Sequence, residues 1–366
     1  MITFMAAASI KLSSHSAFDG IACPSMTRWW MAFCLFFRTL RADDSSWQTL
    51  TALPDKEGFA GGFAGVSQNV LLVAGGANFP DKMPWEGGTK VWYDAVFALP
   101  NPKGNWAKVG QLPKPNGYGV SLTDDRGLIC LGGGDSSENF KDVMRLEWIN
   151  GQLEVRLLPS LPKTSALMSG VISGRKLYIL GGVEKPTDTL AMADFWMLDL
   201  DRLDQGWQAL PPCPGKPRIL ATMGTASDAV FVFSGAALSP GPEGKPARDW
   251  LKDAWKFTIA EGWRQLADLP RVSVAAPSPA PFREGQFLVL GGDDGALVDF
   301  EPKHKHPGFP RDVLAYDWKS DSWSVHGTLP FSLVTTPCVQ WQGNIVIPGG
   351  EARPGKRSPQ IWWTNK

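Results

Sequence analysis

The sequence is poor in the residues that most often announce chemistry. Of its 366 residues only four are histidine, and the five cysteines (Cys23, Cys34, Cys130, Cys213 and Cys338) include no CxxC pair. Paired-cysteine metal sites are thereby excluded, and three cysteines in the body of the chain make no disulfide framework. Cys130, inside the apolar run GLICLGGG, reads as a small core residue. Neither sign of charge dominates: Lys plus Arg and Asp plus Glu stand at 36 each, so the basic footprint of a nucleic-acid binder is missing. Beyond the N-terminal leader no apolar run is long enough to cross a bilayer. Within the leader, Arg28 precedes nine apolar residues, Trp29 to Phe37, the length of a signal-peptide core and too short for a span. Residues 1–42 are therefore expected to be a leader, a signal peptide if translation starts at Met26, and residues 43–366 a single domain. Export to the periplasm or medium follows from that start; a cytoplasmic protein follows otherwise.

What the chain has in quantity is glycine (39), proline (30) and tryptophan (17), and their positions repeat. An apolar strand ending in small residues recurs six times, at Gly75-Gly76, Gly133-Gly134, Gly181-Gly182, Ser234-Gly235, Gly291-Gly292 and Gly349-Gly350. Each copy is preceded by a strand of small residues, such as GGFAGVS or GYGVSL. Five are followed by a strand opened by Asp94, Asp142, Asp194, Asp253 or Asp312. A tryptophan strand leading to Leu-Pro closes most copies, with Trp106, Trp207, Trp263 and Trp323. Four strands per unit of about 50 residues, with paired glycines and a late tryptophan, form a kelch pattern, and such sheets stack radially into a propeller. The sixth copy lacks a closing tryptophan strand, whereas SSWQTLTALP, with Trp47, stands unattached at the other end. The expected fold is all-β, a six-bladed kelch-type propeller whose sixth blade is closed by the N-terminal strand. Pro277, Pro279 and Pro337 are expected in inner strands, which are sheet edges.

Loops that follow the Gly-Gly strand and loops that enter each inner strand emerge on one face. Only the last copy continues as GGEARPGKR, with a carboxylate at Glu351, a turn at Pro354-Gly355 and a cation at Arg357. A carboxylate beside a cation suits proton transfer on an anionic sugar without metal or organic cofactor. Position at the same mouth nominates Asn78, Tyr118, Arg218 and Arg271 as substrate-binding residues.

The segments Gly58–Phe79, Asn116–Leu122 and Gly349–Arg357 resemble the N-acetylneuraminate epimerase family, the kelch-type sialic acid mutarotases. In that family the Gly-Glu-Ala segment precedes the Gly-Phe-Ala-Gly-Gly segment; here the order is reversed, as in the branch called cyclically permuted mutarotases. The resemblance implies an isomerase that interconverts the α and β anomers of a sialic acid, a small sugar acid as partner, Glu351 as proton acceptor and Arg357 in the active site. Two other readings stand beside it. A non-catalytic kelch module binding protein or glycan shares the fold. A copper radical oxidase would need a cluster of histidines, and the body holds only His304, His306 and His326. His304 and His306 are expected in an exposed insertion.

Overall fold

A computed structural model describes residues 47–364; the leader and its cleavage point lie outside the described residues. Six four-stranded antiparallel sheets form the blades. From the axis outward, blade one runs Phe63–Ser67, Val70–Ala74, Ala95–Leu99 and Ala107–Gln111, and blades two to five repeat that order. Blade six takes Val339–Trp341, Asn344–Pro348 and Ile361–Thr364 from the C-terminal end and Trp47–Leu50 from the other. Trp47 stands opposite Thr364 and Leu50 opposite Ile361, so the expected closure is found.

Second strands such as VLLVA and AVFVF are buried along their whole length. Each blade is covered on both faces by its neighbours, so its interior strand reads as an uninterrupted apolar run, with no polar alternation. The inner strands are small because they crowd the axis: a Cβ on Gly65 would sit 2.7 Å from Thr123 Oγ1 in the next blade. The prolines differ from expectation. They precede the inner strands of blades five and six and shorten them to Phe282–Arg283 and Val339–Trp341. A residue without an N–H cannot donate to the ladder, so pairing begins only after it.

The periodic tryptophans join one blade to the next. The indole N–H groups of Trp106, Trp207, Trp263 and Trp323 donate to the carbonyls of Thr51, Pro159, Pro211 and Ala267, at 2.8–2.9 Å. Every acceptor lies at the end of the preceding blade's outer strand, so each indole buries a large apolar body and closes its one donor across the seam.

At the axis the blades meet in a closed cycle of backbone hydrogen bonds. Gly61, Tyr118, Leu167, Leu220, Ala275 and Thr335 supply one link each, and each N–H donates to the carbonyl of the residue one blade earlier, at 2.7–2.9 Å. All six have φ between 54° and 64°, although only one is glycine. A left-handed Leu or Thr is costly, and the neighbouring bonds on both sides are what hold it there.

Candidate active site

The mouth above this cycle is a cavity of about 410 Å³, within the range that encloses a small molecule. Tyr118, Leu167, Leu220 and Thr335 of the cycle form its floor. Glu351 and Arg357 project from a short hairpin, Glu351–Arg353 against Lys356–Arg357, in which the two residues are cross-strand partners. The turn at Pro354-Gly355 thus does what its composition predicts: it folds the cation back on the carboxylate. Gly355 has φ of 82°, and an added Cβ would lie 2.5 Å from Pro84, so only glycine admits this turn against the blade-one loop.

Within the pair the two carboxylate oxygens are unequal. Oε1 of Glu351 accepts from Arg357 Nη1 at 2.9 Å and from the Gly355 N–H at 2.7 Å. Oε2 accepts from no group among the described residues, and the side chain is 20% exposed. One oxygen is anchored and the other is offered to the cavity. Arg357 is buried; its Nη2 donates to the Tyr118 hydroxyl at 3.3 Å, and its guanidinium lies 5.0 Å from the Phe79 ring centroid. The guanidinium is therefore largely engaged inside the protein.

Of the nominated residues the structure brings Glu351, Arg357 and Tyr118 to one cavity. Three others are corrected. Asn78 is fully buried: its amide donates to Asp55 and Gly58, and its carbonyl accepts from the Tyr93 hydroxyl. Arg218, 1% exposed, forks onto Asp253 with two 2.7 Å bonds. Burial pushes the Asp253 carboxyl up, but the hydrogen bonds and charge of Arg218 outweigh it and hold the group below the usual carboxylate value. Arg271 pairs in the same way with Asp312, at 2.6 Å. Lys114–Asp142 and Lys163–Asp194 repeat the motif in blades two and three. A cation entering the inner strand, paired with the aspartate that opens the third strand, is thus a repeated scaffold device. His306 is corrected too: it is buried between Phe300 and Phe309, and its Nδ1 accepts from the Gly308 N–H.

Sequence reasoning missed Lys90 and Trp92, in the long loop between the second and third strands of blade one, and Arg248, on an extra hairpin of blade four. All three line the cavity. The signal for the first two was the length of the GANFPDKMPWEGGTKVW insertion, which places them over the mouth.

Fold and cavity together define a six-bladed propeller of kelch type with the Glu351–Arg357 pair lining the cavity in its mouth. Within that class, residues 37–155 match the family model of N-acetylneuraminate epimerase, which shows the resemblance for that part of the chain. Similar curated proteins are the N-acetylneuraminate epimerases of Yersinia enterocolitica serotype O:8 / biotype 1B, 39% identical over 113 residues, and of Salmonella arizonae, 40% identical over 106. The matches cover 27% and 25% of this chain and 28% and 27% of those relatives, so just over a quarter of their length is spanned. A solved structure titled "Structure of YjhT" superposes with a TM-score of 0.63, over 85% of this chain and 96% of that one. At 16% identity it supports the fold alone.

Proposed function

We propose that the protein is a sugar isomerase that accelerates interconversion of the α and β anomers of N-acetylneuraminate. The observation that carries this reading is the asymmetric carboxylate of Glu351, one oxygen fixed by Gly355 and Arg357 and the other left without a partner among the described residues beside the mouth cavity. Its support from relatives is the match of the first two blades to N-acetylneuraminate epimerase.

Anomers of a keto-sugar acid exchange through the open chain. The anomeric hydroxyl loses a proton, its oxygen becomes the ketone oxygen, and the ring C–O bond breaks as the ring oxygen takes up a proton. Reclosure on the opposite face of the ketone reverses these steps, so nothing is oxidised or reduced. Oε2 of Glu351 accepts the first proton. The same group, now protonated, or water returns one to the ring oxygen. Arg357 aims the carboxylate by holding Oε1 in a charge-assisted hydrogen bond.

The test is anomer exchange of freshly dissolved N-acetylneuraminate followed by NMR. Wild type should accelerate exchange, and Glu351→Gln should lose about 10²–10⁴-fold in kcat with KM nearly unchanged. A protein that binds the sugar acid without accelerating exchange would be the glycan-binding module instead. Full activity in Glu351→Gln would remove Glu351 from the role of base.

The leader reading belongs to the same proposal: a periplasmic or secreted protein with its mature end near Ala42. Among the described residues no helix is long and apolar enough to cross a membrane. Mass spectrometry of the protein from its native host should find a chain starting near Ala42. Residues 1–41 still attached in cytosolic material would overturn export.

A further inference from the structure

Three cations line the cavity: Arg357, Arg248 and Lys90. Their surroundings differ. Arg357 is neutralised by Glu351 at 2.9 Å, so an anion placed against it meets a pair with no net charge. Arg248 is exposed, leans on the Trp250 ring, and has the Asp293 carboxylate in its field. Lys90 is half-buried and makes no ion pair or hydrogen bond among the described residues. Its ammonium lies 5.2 Å from the Trp92 ring centroid and 5.0 Å from that of Tyr118. The two rings meet edge to face, 6.4 Å apart. Aromatic faces attract a cation without supplying an acceptor, so they fix the ammonium's position and leave its charge and N–H donors unspent. The Trp92 indole N–H on the same wall is buried and finds no acceptor among the described residues. Tyr118 connects this wall to the reacting pair, since its ring holds Lys90 and its hydroxyl meets Arg357.

We propose that Lys90 receives the carboxylate of the sugar acid. In a 2-keto sugar acid the carboxylate and the anomeric hydroxyl are attached to the same carbon, so whatever holds the first sets where the second points. A carboxylate drawn to Lys90 is kept off Glu351, which would repel it, while the anomeric hydroxyl is directed at Oε2. This assignment rests on the mutarotase reading for its substrate and concerns binding, which is measured separately from turnover.

The experiment titrates wild type, Lys90→Met and Lys90→Arg with N-acetylneuraminate and with its methyl ester, reading tryptophan fluorescence, and measures anomer exchange in parallel. Lys90→Met should bind the acid about tenfold to a hundredfold more weakly, the loss of one charge-assisted contact. KM should rise in step, kcat should fall as well because the anomeric hydroxyl is no longer directed at Oε2, and the neutral ester should bind all three proteins alike. Lys90→Arg should recover most of the preference for the acid over the ester. Equal weakening of acid and ester, or unchanged acid binding in Lys90→Met, would overturn the assignment. Lys90-dependent acid binding without accelerated exchange would uphold it and remove the mutarotase reading. Wild type that binds no acid would remove both.

Discussion

Individual side chains divide into those the repeat demands and those it does not. Asp253 and Arg218 are of the first kind, and their pairing has a definite pH signature. The folded carboxyl lies below the unfolded value of about 3.9, so the ionised form is favoured by folding. Its stabilisation is complete above the unfolded value and is lost as pH falls through the folded one. At pH 7 Asp253→Asn should destabilise the protein by about 3 kcal/mol, because it leaves a guanidinium that is 1% exposed without its counter-charge. Thermal melts should show this gap constant from pH 7 to about 5 and shrinking below about 4. A gap undiminished at pH 3 would mean that the carboxyl's charge is not what stabilises. Glu351 and Arg357 are of the second kind. No other copy of the repeat has a Glu followed six positions later by an Arg after its Gly-Gly pair, and that singularity made them legible in the sequence. Arg218 and Arg271 misled because position at the mouth says nothing about direction. Their partners Asp253 and Asp312 lie 35 and 41 residues away, so the pairing shows only once the blades are folded.

Among the elements, the strand Trp47–Leu50 binds the ends of the chain into one blade. Trp47 packs edge to face with Phe331 at 5.1 Å, and the carbonyl of Thr51 just beyond the strand accepts from Trp106 in blade one. Without it, Ile361–Thr364 becomes an exposed edge and blade one loses its indole acceptor. A chain starting at residue 53 should melt at least about 5 °C below one starting at residue 43. Equal melting temperatures would show that the closing strand adds nothing to the ring. The blade count and this closure were readable because an apolar strand ending in a pair of small residues is a local signal, repeated six times. The starts of the inner strands in blades five and six were not, since the small-residue runs AAPSPA and TTPCVQ suggest strand while their prolines delay pairing to Phe282 and Val339. The hairpin Ala236–Pro240 with Pro246–Trp250 escaped as well, because an insertion in one blade has no repeat to announce it.

Over the whole molecule, the six left-handed residues at the axis link all blades through bonds that point the same way round. Such a circuit has no first or last member, and each link polarises the next. The six backbone N–H groups are all spent inside the circuit, so they offer a ligand in the mouth no donor. Discrimination must then come from side chains, which differ from blade to blade although the backbone circuit beneath them does not. A circuit without a start is also indifferent to where the chain is cut. One ancestral wheel can be opened in different spokes and keep the same hub, and the only residues obliged to stay together are those that share a rim loop.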